Sequence, residues 1–124
     1  MRSILIIACD PFLAGIYGRK FERDAWDVQI AENISEGKTQ IAKMQPDIVL
    51  IEKGCSEDLV ELIRSLKSLP TMQQTKLVVL AKESDRDEIQ KARNAGADQY
   101  LLLGHFVPHE AVEKMKELLK GVEG

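Results

Sequence analysis

Hydrophobic and polar positions along the chain fall into two alternating rhythms. Residues 3–8 form an unbroken apolar run, the pattern of a strand covered on both faces. Asp10 and Pro11 follow, an N-cap residue and a first-turn residue in the order that starts a helix. Phe12, Leu13, Ile16, Tyr17 and Phe21 then recur at three- and four-residue spacing and predict one buried helix face, with Arg19, Lys20 and Arg23 largely opposite. Residues 26–31 return to strand rhythm through Trp26, Val28 and Ile30. Ser35 opens a short helix through Met44, and Pro46 ends it because proline disfavours helical geometry in the residue before it.

The second half repeats the alternation. Residues 48–51 are an apolar strand, and Ser56-Glu57-Asp58 opens a helix with Leu59, Val60, Ile63 and Leu66 inward, closed by Pro70. Residues 77–81 are a fourth strand. Ser84-Asp85-Arg86-Asp87 starts the next helix, and Gly96 stands where a C-terminal glycine belongs. Residues 99–103 make a fifth strand, and Pro108 begins a last helix carrying Val112, Met115, Leu118 and Leu119, with Gly121 after it. Strands alternating with helices in this way predict a five-stranded parallel sheet with helices on both faces, an α/β fold. No linker, repeat or low-complexity tract interrupts the pattern, so residues 1–124 are expected to form one domain.

Composition narrows the function classes. A chain of 124 residues can bury a single core without staples. Its 17 basic and 20 acidic residues are interspersed, and the net charge of −3 offers neither a nucleic-acid footprint nor a polybasic membrane patch. No apolar run approaches a bilayer span, and the break at Asp10-Pro11 comes too early for a signal peptide. Cys9 and Cys55 predict neither a disulfide framework nor a zinc signature, so a reducing, cytoplasmic setting is expected.

In an open parallel sheet, functional groups gather beyond the carboxyl ends of the strands. Three segments near those ends carry a family signal: Ile4-Leu5-Ile6-Ile7-Ala8-Cys9-Asp10-Pro11, Gln45-Pro46-Asp47-Ile48-Val49-Leu50-Ile51-Glu52, and Ala95-Gly96-Ala97-Asp98-Gln99-Tyr100-Leu101. In this order and spacing they resemble the receiver domain of bacterial two-component response regulators, over nearly the whole chain. The resemblance implies a flavodoxin-like (βα)5 fold, of the chemotaxis type, with strand order 2-1-3-4-5.

The resemblance also assigns roles position by position. Receivers hold Mg²⁺ with an acidic pair after the first strand; Ala8 and Cys9 align there, with Asp10 just beyond. Mg²⁺ needs oxygen ligands, so weak or absent binding is expected. The phosphoacceptor aspartate aligns with Glu52, the phosphoryl-binding hydroxyl with Ala81, and the charge-neutralising lysine with Leu103, followed by Gly104 where receivers usually have proline. Phosphoryl transfer depends on positioning and charge neutralisation. Losing these groups together implies a degenerate pseudo-receiver, without enzymatic activity, acting as a phosphorylation-independent protein-interaction module. The partners implied are a histidine kinase, an output domain or a second copy. Pairing is expected through the fourth helix, fifth strand and fifth helix, on a face carrying Arg86, Gln90, Lys91, Arg93, Glu113, Lys114 and Glu117.

Alternatives remain open at several residues. Asp10 reads as a helix N-cap or as a metal-site acid, and with the latter Glu52 would be a working phosphoacceptor. Otherwise Glu52 reads as a stand-in for phosphoaspartate, or as a solvated carboxylate paired with Lys53 or Lys82. Tyr100 aligns with an aromatic switch position that turns inward on activation, and Ala81 opposite it leaves room for a permanently inward ring; a strand aromatic half-covered by the last helix is the other reading. Cys9, Asp10, Cys55 and His105 share one sheet end, where a soft-metal or thiol redox site needs to be weighed against ordinary small buried cysteines. His109 reads as solvent-facing, and Met44, Met72 and Met115 as packing or surface residues. A flavin or cobalamin carrier finds no support, because a Gly/Ser/Thr-rich loop after the first strand and an Asp-x-His-x-x-Gly segment are both missing.

Overall fold

A computed structural model describes residues 1–103 and 107–121. Strands β1 (Ser3–Ile7), β2 (Asp27–Ala31), β3 (Ile48–Glu52), β4 (Lys76–Ala81) and β5 (Gln99–Leu102) form one parallel sheet in the order β2-β1-β3-β4-β5. Helices α1 (Pro11–Arg23), α2 (Ile34–Met44), α3 (Leu59–Lys67), α4 (Arg86–Ala95) and α5 (Pro108–Gly121) connect and flank them. The chain steps from β1 to β2 in one direction and then builds β3, β4 and β5 in the other. Right-handed crossovers therefore place α1 opposite α2, α3 and α4.

Side-chain alternation along the strands feeds two cores. Leu5, Ile7, Val49, Ile51, Leu77 and Val79 pack with Ile41 of α2, with Leu62, Ile63 and Leu66 of α3, and with Ala92 of α4. Ile4, Ile6, Ile48, Leu50, Val78 and Leu80 face Tyr17 and Phe21 of α1 and Val112 and Met115 of α5. The central strands are buried on both faces, which is why their sequences show no polar alternation. Each such aliphatic side chain contributes about 1.5–3 kcal/mol relative to exposure. Gly37 lets α2 approach β1 closely, since a Cβ there would lie 2.5 Å from Ile7 Cδ1.

Some boundaries differ from the sequence expectation, each for a local reason. Phe12 is 72% exposed, because it lies in the first turn of α1; the buried positions are Ala14, Tyr17, Gly18 and Phe21. Trp26 precedes β2 instead of starting it: Ala25 has φ 66°, and the turn lays the indole edge-on against Phe21 at 4.9 Å between ring centres. Asn33, not Ser35, caps α2, its Oδ1 accepting the Glu36 amide at 2.8 Å. Asp58 caps α3 in the same way, which leaves Ser56 outside the helix. Leu103 lies one residue past β5, though its amide still donates to Ala81 O at 2.8 Å.

Polar side chains lace the amino edge of the sheet. Asp47 Oδ2 accepts the Ser3 amide at 2.9 Å, and Thr75 Oγ1 donates to Pro46 O at 2.7 Å. Asp98 Oδ2 accepts from Lys67 Nζ at 2.7 Å and from the Leu77 amide at 2.8 Å. Gly96 has φ 127°, and a Cβ there would meet Lys67 Cγ at 2.9 Å, so glycine both turns the chain out of α4 and leaves room for that lysine.

Candidate functional site

The strand order reverses between β1 and β3, and their carboxyl ends form a crevice there. Glu52 ends β3 and is only 9% exposed. Its Oε1 accepts the Cys9 amide at 2.9 Å and the Asp10 amide at 3.1 Å. Both expected readings of a solvated or lysine-paired Glu52 are thereby corrected. The side chain reaches across the crevice and closes on the backbone leaving β1, satisfying a buried carboxylate with donors rather than with a cation. Lys53 and Lys82 point to other acids instead.

The two cysteines also depart from expectation, because Cys9 and Cys55 are joined by a disulfide with Cα atoms 5.4 Å apart. Residues Lys53–Cys55 form a 3₁₀ turn that folds the chain back over the end of β3 and delivers Cys55 to the β1 loop. Cys55 Sγ lies 3.8 Å from Glu52 Oε1 and 3.9 Å from Ile7 O. The backbone of Cys9 is thus hydrogen-bonded to Glu52 while its sulfur is bonded three residues further on. His105, the fourth member of the anticipated cluster, and Gly104 lie outside the described residues.

Asp10 takes the capping reading. Its Oδ1 accepts the Phe12 amide at 2.9 Å, and its Oδ2 stands 3.9 Å from Lys82 Nζ, whose side chain is 70% exposed. Such a surface pair contributes little. Ala8 is buried in the core on the α1 side. Among the described residues, no three His, Cys, Asp or Glu side chains converge as a metal-binding group.

A second network runs from Lys53 to β5. Lys53 Nζ donates to Glu88 Oε2 and, at 3.3 Å, to Glu83 O. Ser84 Oγ donates to the same Glu88 oxygen at 3.0 Å and accepts the Tyr100 hydroxyl at 2.9 Å. The Tyr100 ring is buried in the same core cluster as Ala81, Ala92 and Ala97. Hydrogen bonding to Glu88 pushes the Lys53 ammonium above its ordinary range, against an opposing effect of burial. Hydrogen bonds from Lys53 and then Ser84 hold the Glu88 carboxyl below its ordinary range. The sequence offered Ser84 only as part of the helix start Ser84-Asp85-Arg86-Asp87, and Glu88 was not singled out.

Between these networks lies a cavity of about 330 Å³ lined by Glu52, Lys53, Leu80, Ala81 and Leu103, with Leu13 and Lys82 at its sides. Ala81 and Leu103 make its inner wall apolar. On the outer face, Arg86, Gln90, Lys91, Arg93, Glu113, Lys114 and Glu117 are all exposed. His109 is exposed as well, whereas Met72 and Met115 are buried in the two cores and Met44 packs partly against one of them.

Comparison with known proteins agrees with this architecture. No family model matches the chain. The KDP operon transcriptional regulatory protein KdpE of Escherichia coli is 28% identical over 102 residues, covering 82% of this chain and 44% of that protein. The uncharacterized transcriptional regulatory protein YvcP of Bacillus subtilis is 23% identical over 133 residues, covering 100% of this chain and 51% of that protein. The chain therefore spans about half the length of these curated relatives. A two-component response regulator from Clostridium difficile superposes with a TM-score of 0.88 at 22% identity, over 100% of both chains. A response regulator from Thermotoga maritima gives 0.86 at 23% identity, over 97% of this chain and 98% of that one. In topology and in the placement of its crevice the chain has the fold of these response regulators, and in sequence it is similar to the two transcriptional regulatory proteins.

Proposed function

We propose that this receiver domain works as a phosphorylation-independent interaction module, degenerate at the site where other receivers accept a phosphoryl group. The observation that carries the reading is the clamp on Glu52, whose Oε1 already holds the Cys9 and Asp10 amides. Magnesium does not fit these donors. The Ala8 side chain has no ligand atom, the Cys9 sulfur is bonded to Cys55, and one Asp10 oxygen caps α1. Ala81 and Leu103 give an incoming phosphoryl group neither a hydroxyl nor a cation at the inner wall of the cavity.

The output side supports a fixed state rather than a switched one. Tyr100 is buried and tethered through Ser84 and Glu88 to Lys53, the neighbour of Glu52. A ring held inward leaves the surface of α4, β5 and α5 in one shape, and its exposed charges of both signs suit a complementary protein partner. That partner is a histidine kinase, an output domain or a second copy bound through the same surface, in the cytoplasm. Among the described residues no helix is long and apolar enough to cross a membrane.

Incubation with acetyl phosphate and Mg²⁺, followed by intact mass measurement, tests the reading. An unmodified mass is expected. A phosphoryl adduct lost on Glu52→Gln substitution would establish Glu52 as a working acceptor, with Asp10 as its metal-site acid, and overturn the proposal. Sedimentation at several concentrations, with and without charge reversal at Arg93, separates self-association from hetero-partner binding.

A further inference from the structure

We propose that Cys9 and Cys55 are a redox-active pair whose reversible disulfide controls the rim around Glu52. The switch rests on the reading that Glu52 is not governed by a phosphoryl group, and it supplies the regulation that reading leaves open.

Four observations converge on it. The only two cysteines of the chain are 46 residues apart, yet they meet at the reversal point of the sheet. The buried residues of the two hydrophobic cores include neither cysteine, and Cys55 only packs partly against one of them, so the bond sits at the rim of the sheet. Cys9 is exposed while Cys55 is half-buried, so a thiolate from solution reaches one sulfur first. The reduced state is also provided for. Once freed, the Cys55 thiol has two acceptors near it, Glu52 Oε1 at 3.8 Å and Ile7 O at 3.9 Å.

The chemistry balances with ordinary cellular reagents. In reduction, a thiolate of a small or protein dithiol attacks Cys9 Sγ, the sulfur–sulfur bond breaks, and Cys55 leaves as a thiolate that takes a proton from water. The second thiol of the reductant, as thiolate, then attacks its own sulfur in the mixed disulfide and releases Cys9. Two electrons have passed to the protein, and the reductant departs as a disulfide. In oxidation, the Cys9 thiolate attacks a hydroperoxide, giving a sulfenic acid and water or an alcohol. Cys55 displaces the hydroxyl as a second water, and the disulfide re-forms.

The consequence for the rim follows from connectivity. The bond pins the 3₁₀ turn Lys53–Cys55 onto the β1 loop, and that turn carries Lys53, the anchor of Glu88, Ser84 and Tyr100. Reduction frees the turn, so the set of Lys53 positions widens and the Tyr100 tether loosens with it. A change at the oxidisable pair is thereby read on the α4 and β5 surface, some way from either sulfur.

The test is a redox titration of the full chain in glutathione buffers, with thiols counted by maleimide labelling and intact mass. Backbone and Tyr100 ring resonances are followed by NMR in the same samples. The expected result is two labelled thiols in the reduced form and none in the oxidised form, with interconversion inside the range of cellular glutathione buffers. Resonances of Lys53, Ser84, Glu88 and Tyr100 should move between the two forms in wild type and stay fixed across the same buffers in Cys9→Ser. Thiols that never pair on peroxide treatment would overturn the switch. A bond that persists in all such buffers, or resonance changes confined to residues 8–10 and 52–56, would do the same. Acetyl phosphate added to both redox forms keeps the readings apart: an adduct sinks the phosphorylation-independent function, whereas failed oxidation sinks only the switch.

Discussion

The two edges of the sheet solve the same problem with different chemistry. Each must finish central strands that are largely apolar, and each uses a carboxylate to do so. At the amino edge, Asp98 gathers the Lys67 ammonium and the Leu77 amide, and Asp47 ties itself to Ser3. These contacts tie the edge with ion pairs and hydrogen bonds. At the carboxyl edge, Glu52 gathers two amides from a loop, a disulfide lies beside it, and a cavity of about 330 Å³ stays open next to it. The first edge has one arrangement. The second carries the proposed redox pair beside a carboxylate held by two loop amides.

The contrast is broken most severely by reducing the disulfide. For a cross-link 46 residues apart, the chain-entropy account gives a loss of up to about 4 kcal/mol, which denaturant unfolding with and without reductant measures directly. The fold should survive that loss, because the buried residues of both cores include neither cysteine. Next is Asp98→Ala, which strands Lys67 and the Leu77 amide and is expected to cost about 2–3 kcal/mol; the same measurement checks it. If the amino edge is purely structural, this loss leaves the Tyr100 resonances in place.

Glu52→Ala comes third. It orphans the Cys9 and Asp10 amides, for an expected cost of about 1–3 kcal/mol, and hydrogen exchange at those two amides should accelerate. A smaller effect is expected from Tyr100→Phe, about 0.5–1.5 kcal/mol, since only the bond to Ser84 is removed and the ring remains buried. The smallest is the pH response of the Lys53–Glu88 pair. Glu88 is held below its ordinary value of 4.5, so its stabilising effect is complete above that value and disappears as pH falls through its lower folded value. Lys53 is held above 10.5, so its contribution is complete below that value and is lost as pH rises beyond it. Side-chain resonances of Glu88 and Lys53 followed by pH titration should show a network intact throughout the neutral range.

The readable and unreadable parts of the molecule divide along physical lines. Asp10 before Pro11 announced its capping role, because a cap acts within three residues of itself. The strand ending at Glu52 and the glycine at 96 were legible for the same reason: burial on both faces and a left-handed turn each leave a local mark. The cap of α2 was misplaced by two residues, since Ser35 offers the same chemistry as Asn33, and Asp58 was bracketed only within Ser56-Glu57-Asp58. Cys9 and Cys55 each stood at a strand end in the sequence, and adjacency of β1 and β3 was the signal that brings them together.

By itself the sequence determined the alternation of elements and, through family resemblance, the parallel sheet with its 2-1-3-4-5 order; the same resemblance implies that positions 8, 9, 81 and 103 lack the groups usual there. Only the tertiary structure decided what replaced them: the amides that receive Glu52, the bond between Cys9 and Cys55, and the chain of oxygens from Tyr100 to Lys53. Periodicity is a property of neighbours along the chain and survives in one dimension. Whether two side chains on loops 40 or more residues apart come within bonding distance depends on how the helices seat their strands, and that is settled only when both faces of the sheet are packed.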